Sequence, residues 1–87
     1  MQQDGRKMTF APVRIRDRGG PRQLVREVRN VKAASDTMLA WPGRGSAWRT
    51  AAEVLSEALY GRAGVEEARA AFVAAAREAG VLMGDEG

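Results

Sequence analysis

The chain is 87 residues long, carries a formal net charge of +3 and contains neither histidine nor cysteine. That length holds one domain and a single small core. The missing residue types exclude disulfides, thiolate metal sites, imidazole ligation and the commonest general base, so no cofactor or metal is expected. The charge is uneven: residues 1–32 carry +6 and residues 33–87 carry −3. No apolar h-region follows the charges of residues 1–7, and no apolar run approaches the roughly 18–20 residues that span a bilayer. A cytoplasmic protein without a membrane partner is the expectation.

Residues 1–7 are polar and expected to form a flexible N-terminal segment. Across residues 8–18, Ala11, Val13 and Ile15 alternate with Pro12, Arg14 and Arg16, the period-2 pattern of a strand with one wet face. Pro12 cannot donate a ladder hydrogen bond and belongs at a strand start or edge. Gly19-Gly20-Pro21 reads as a tight hairpin turn, and residues 22–28 as the return strand. A bare hairpin is marginal in water, so its apolar face must rest on something else.

That support is helical. Asn30 is a natural N-cap for a short helix over residues 31–40, and Pro42 disfavours helical geometry at Trp41. Gly43 and Gly45 turn the chain, and Ser46 is expected to cap a second helix over residues 47–60. There Trp48, Ala51, Ala52, Leu55, Ala58 and Leu59 make an apolar face opposite Arg49, Glu53, Ser56, Glu57 and Tyr60. Gly61 sits where a left-handed residue closes a helix. A third helix spans residues 65–79, with Glu66 and Glu67 in its first turn, Arg77 in its last and Gly80 as its cap. Ala68, Ala71, Ala75, Ala79 and Phe72 form its smooth face. Val81, Leu82 and Met83 are able to add a short strand to the hairpin, and residues 84–87 read as a flexible tail. The expected architecture is α+β, a hairpin with three helices packed on one face, in the order ββαααβ, over residues 8–83.

The stretch Trp41-Pro42, Trp48-Arg49-Thr50-Ala51-Ala52, Ala58-Leu59-Tyr60-Gly61, Glu67-Ala68-Arg69-Ala70-Ala71-Phe72 and the run Ala75 through Val81 resembles the domain-of-unknown-function family 982. The likeness covers roughly residues 10–83, and the family consists of small rhizobial and alphaproteobacterial proteins. The resemblance implies no activity, cofactor or catalytic residue. Members often carry a cysteine where Leu55, Ser56 and Glu57 stand here, so no thiol role carries over.

Several groups are candidates for chemistry or contact. Arg14, Arg16 and Arg18 share a strand face that Arg22 and Arg26 are expected to join, and arginine forks suit phosphates. Five such contacts would give log K a slope of roughly −4 to −5 against log salt. The plainer reading is a solvated sheet face, since no aromatic residue interleaves to stack on bases. Trp41 and Trp48 are interface-type residues but are expected to close the core with Pro42 and Phe72. Glu53 and Glu57 read as an exposed stripe, and Asp36 and Thr37 call for no functional role. The segment 43–46 precedes a helix start, where an anion can sit, but it lacks the P-loop pattern and reads as a plain turn. Ala70, Val73 and Ala74 are a spare surface on the third helix, fit for a partner protein or a second copy. The functional expectation is a non-enzymatic protein-interaction module, with self-association as one form of it and nucleic-acid binding as the alternative.

Overall fold

The computed structural model describes residues 8–17 and 24–83. Strands β1 (Thr9–Asp17) and β2 (Leu24–Asn30) form an antiparallel pair, followed by α1 (Val31–Leu39), α2 (Ser46–Leu59) and α3 (Val65–Ala79). The expected turn at Gly19-Gly20-Pro21 lies outside the described residues, as do the expected flexible ends.

The hairpin register pairs Val13 with Val28 and Ile15 with Arg26, while Thr9 pairs with Asn30. Between the first two of those three landmarks along β1, Phe10, Ala11 and Pro12 stand opposite Arg29 alone, so the strand bulges there. The bulge breaks the alternation read from sequence. Phe10 turns into the core with Val13 and Ile15, whereas Ala11 is exposed. The carbonyls of the bulge find a partner on α3: the Arg69 guanidinium donates to the Ala11 oxygen at 2.9 Å and to the Pro12 oxygen at 3.5 Å.

Two helices, α1 and α3, meet the hairpin, and α2 packs on both of them from behind. The core between these layers holds Ile15, Val28, Val31, Met38, Leu55, Phe72 and Val81. Buried alanines on α2 and α3 (Ala51, Ala58, Ala68, Ala75 and Ala76) let the two helices approach closely. Leu59, expected on the inner face, lies 44% exposed at the last turn of α2.

The helix ends follow local chemistry with one exception. Asn30 caps α1 by accepting from the Ala33 amide at 2.7 Å. Gly80 closes α3 in the left-handed conformation (φ 76°), and the Val81 amide returns to the Ala76 carbonyl at 3.0 Å. Ser46 is the exception. It is the first residue of α2 and not its cap; Gly45 holds that position and has no side chain to offer. The Ala47 amide donates instead to the Glu78 carboxylate of α3 at 2.7 Å.

The C-terminal segment does not form a third strand. Leu82 makes a single bridge to Ile15, framed by hydrogen bonds from the Arg16 amide to the Val81 carbonyl (2.7 Å) and from the Met83 amide to the Arg14 carbonyl (2.9 Å). This contact covers the outer edge of β1, the useful part of what a strand would do. No described helix is long and apolar enough to cross a membrane.

Candidate functional site

A cleft of about 630 Å³ opens where the hairpin, the end of α1, the α1–α2 connection and the last turn of α3 converge. Its size is that of an ordinary small-ligand or side-chain pocket. Ile15 and Val81 at the bridged strand edge and Ala75 of α3 lie buried beneath its floor, while Ala79 of α3 is partly exposed on it. Trp41 and Trp48 form the aromatic walls.

Both tryptophans are held in place by specific contacts. Trp41 stacks on Phe72, with ring centroids 5.8 Å apart and planes inclined by 23°. Phe72 is fully buried, so the stack anchors the cleft wall to the core. The Trp48 indole N–H donates to the Met38 carbonyl at 2.9 Å, and the Arg44 guanidinium lies 4.4 Å from its ring centroid. Each ring remains partly exposed and presents a fixed surface to the cleft. They therefore join core and cleft, beyond the core-closing role expected of them.

Three polar elements border this apolar surface. Arg16 and Arg26 line the hairpin end, and neither enters an ion pair among the described residues. Thr37, in the last turn of α1, lines the cleft while only 6% exposed, and its hydroxyl has no hydrogen-bond partner among the described residues. Glu78 stands on the opposite wall, its carboxylate turned to the start of α2. The 43–46 segment is thus a turn, the plainer reading of its sequence, and the helix start it leads into is occupied by the chain's own carboxylate.

The arginines read as one ribbon are divided by the register. Arg14 pairs with Glu27 and Arg16 with Val25, on the outer face of the hairpin. Arg26 pairs with Ile15 and so projects from the opposite, core-side face. Arg26 does not join Arg14. The Arg14 guanidinium is 3.6 Å from Glu27, and Arg29 reaches the same carboxylate at 2.9 Å. The hydrogen bond from Arg29 holds the Glu27 carboxyl below the usual carboxylate range, with further help from the positive charges of Arg29 and Arg14. Arg18 and Arg22 lie outside the described residues.

On α3, Ala70 and Ala74 are exposed, while Val73 is half-buried against the core. Gly61 adopts φ 78° at the end of α2, as its position implies. Glu53 is exposed and Glu57 faces Arg62 at 3.7 Å. Sequence reasoning missed Thr37, Glu78 and Arg69. Arg69 and Glu78 act across sequence separations of 58 and 31 residues, and no local pattern signals either contact. Thr37 carried a faint signal, being a polar residue one position before Met38 on the buried side of α1.

No curated protein and no solved structure matches the chain. The sequence pattern of the family described as "Protein of unknown function (DUF982)" matches residues 12–83, and the chain belongs to that family.

Proposed function

We propose that the protein is a non-enzymatic interaction module that receives a segment of a partner protein in the tryptophan-walled cleft. The observation that carries this reading is the combination of two anchored aromatic walls with the arginines at one end. Rigid aromatic surface bordered by arginine is the composition of binding hot spots. The absence of histidine and cysteine from the sequence removes the side chains that most often run acid–base and nucleophilic chemistry.

Site-specific photo-crosslinking in cells tests the proposal. A photoreactive residue at Ala40, an exposed position on the cleft, is expected to capture a discrete protein adduct. The same residue at Glu66, exposed on the first turn of α3 and away from the cleft, is expected to capture none. Adducts from both positions, or from neither, would refute the reading. An adduct of twice the chain mass would identify a second copy as the partner. The surface of Ala70, Val73 and Ala74 enters the same test as a third position.

Nucleic-acid binding is the weaker alternative, because the described arginines do not form one face and Arg14 is engaged by Glu27. Duplex binding at low salt that disappears on Arg14→Ala would restore it.

A further inference from the structure

We propose that the cleft receives the α2–α3 turn of a second copy of this chain, with Tyr60 seated against Trp41 and the two molecules joined head to tail. This rests on the interaction-module reading and names the partner.

Tyr60 is 73% exposed at the C-terminal end of α2, with the half-exposed Leu59 beside it. Phe10 and Phe72 are buried and both tryptophans are partly buried, so Tyr60 is the one aromatic side chain left open to solvent. The turn that carries it is preformed. The Arg62 guanidinium lies 5.4 Å from the Tyr60 ring centroid and 3.7 Å from the Glu57 carboxylate, and the Arg62 amide donates to the Glu57 carbonyl at 2.8 Å. Little further ordering is needed on binding. The cleft lies at the other end of the same helix, where Gly45 and Trp48 line it. At 1.5 Å per residue, α2 sets Tyr60 roughly 18 Å from Trp48. A chain therefore cannot fill its own cleft with this turn, whereas another copy's turn is free to enter it.

Turn and cleft carry complementary groups. In the turn, Glu57 stands one helical turn before the aromatic ring and Arg62 follows it. In the cleft, Arg26 on the hairpin wall enters no ion pair among the described residues, and the Glu78 carboxylate stands on the opposite wall. Arg16 projects from the other face of the hairpin and takes no part. The exposed Glu57–Arg62 pair is weak, so its members exchange partners at small cost, Glu57 toward Arg26 and Arg62 toward Glu78. Trp41, stacked on Phe72 and still partly exposed, offers ring surface to the incoming tyrosine. Thr37 is a nearly buried hydroxyl on the cleft wall with no partner among the described residues, and a phenol both donates and accepts. Turn and cleft are different surfaces, so the contact is heterologous: each joined pair keeps one unused turn and one unused cleft.

That asymmetry supplies the test. Tyr60→Ser removes the ring at an exposed position, and Ala40→Arg places a cation at the exposed rim of the cleft, where it crowds the opening and repels Arg62. Thermal melts of both variants exclude loss of fold as a cause. Sedimentation velocity up to millimolar concentration is expected to show the wild type associating, with a mass that rises with concentration. Each variant alone should associate at least about tenfold more weakly. An equal mixture of the two should recover association and stop at a dimer, because the intact cleft of Tyr60→Ser takes the intact turn of Ala40→Arg and both remaining ends are blocked. Trp41 and Trp48 are the only tryptophans of the chain and both line the cleft, so their indole NMR signals should shift with concentration in the wild type and not in Ala40→Arg. A wild type that stays monomeric, a variant that associates as readily as the wild type, or a mixture that fails to recover would each overturn the proposal. A photo-crosslinked adduct at Ala40 of any mass other than twice the chain would overturn it too, while leaving the interaction-module reading in place, so the two readings fail separately.

Discussion

The start of α2 depends on a carboxylate from another helix, and this can be tested with a two-residue cycle. Gly45 is the cap residue and contributes no side chain; the Ala47 amide donates to Glu78 at 2.7 Å. A Cβ built on Gly45 would collide with that carboxylate. Gly45 has φ −76° and ψ −169°, which alanine adopts freely, so Gly45→Ala acts by expelling Glu78 and not by straining the backbone. Loss of an N-terminal cap costs about 1 kcal/mol, including the favourable placement of a negative charge at the helix start. Because Glu78 is exposed, the lower half of the usual range applies. Glu78→Ala is expected to cost ~1 kcal/mol, lowering Tm by roughly 4–8 °C for a domain of this size. Glu78→Gln keeps the acceptor and should cost less. Gly45→Ala should be about 1 kcal/mol less damaging in the Glu78→Ala background than in the wild type, a coupling well above the usual error of additivity. Urea and thermal denaturation followed by far-UV circular dichroism measure all four species. Strict additivity would show that Glu78 does not cap α2 and that the glycine is required for some other reason.

Three further outcomes follow from single contacts. Arg69→Met should destabilise the protein by ~1 kcal/mol, since two bulge carbonyls lose a charged donor, and hydrogen exchange should quicken in β1 more than in α2; uniform quickening would contradict the local pin. Gly80→Ala, at φ 76°, should cost roughly 1–2 kcal/mol, while Gly43→Ala, with nothing within reach of a new Cβ, should stay within about 0.5 kcal/mol; equal costs would refute the assignment of the α3 cap. Glu27 is held below the ordinary carboxylate range of about 4.3, chiefly by its hydrogen bond from Arg29. A depressed value contributes stability above the ordinary range and loses it as pH falls from there through the lower folded value. Glu27→Gln should therefore flatten the acid limb of the stability profile slightly, and an unchanged limb would refute the contribution.

The helices were legible in the sequence because their ends carry local chemistry. Residues 65–79 form α3 as expected, since Glu66, Glu67, Arg77 and Gly80 all mark the same boundaries. Asn30 marks α1 in the same way. Legibility failed wherever a distant residue replaced a local one. Ser46 has the right side chain for a cap, yet Glu78 supplies the acceptor and shifts the helix start by one residue. The β1 bulge left no trace in the alternation of Ala11, Val13 and Ile15, because its stabilising partner, Arg69, lies on α3. The core-side position of Arg26 is not legible either, since register cannot be read from a strand whose two faces both mix charged and apolar residues. The cleft was not legible at all. It needs β1, β2, the end of α1, the α1–α2 connection and α3 at once, and each contributes residues with an ordinary structural role of their own.

The residues that carry the family likeness are mostly explained by what they hold together. Glu67 reaches the Gly64 amide at the start of α3, Ala68 and Phe72 are buried, and Arg69 pins the bulge. Three further carboxylates are engaged in the same way: Asp36 pairs with Lys32, Glu57 with Arg62, and Glu78 with the α2 amide. These carboxylates act at helix ends and within helix-surface pairs, while Arg16 and Arg26 of the hairpin enter no ion pair among the described residues. Trp41 and Trp48 lie where those arginines meet the apolar core, and the connection between them is short, glycine-bracketed and tied to Met38, Phe72 and Glu78. A linker whose only task is to join two helices does not require two anchored indoles facing an open cleft. That surplus of ordered aromatic surface beside positive charge distinguishes this corner from the rest of the molecule.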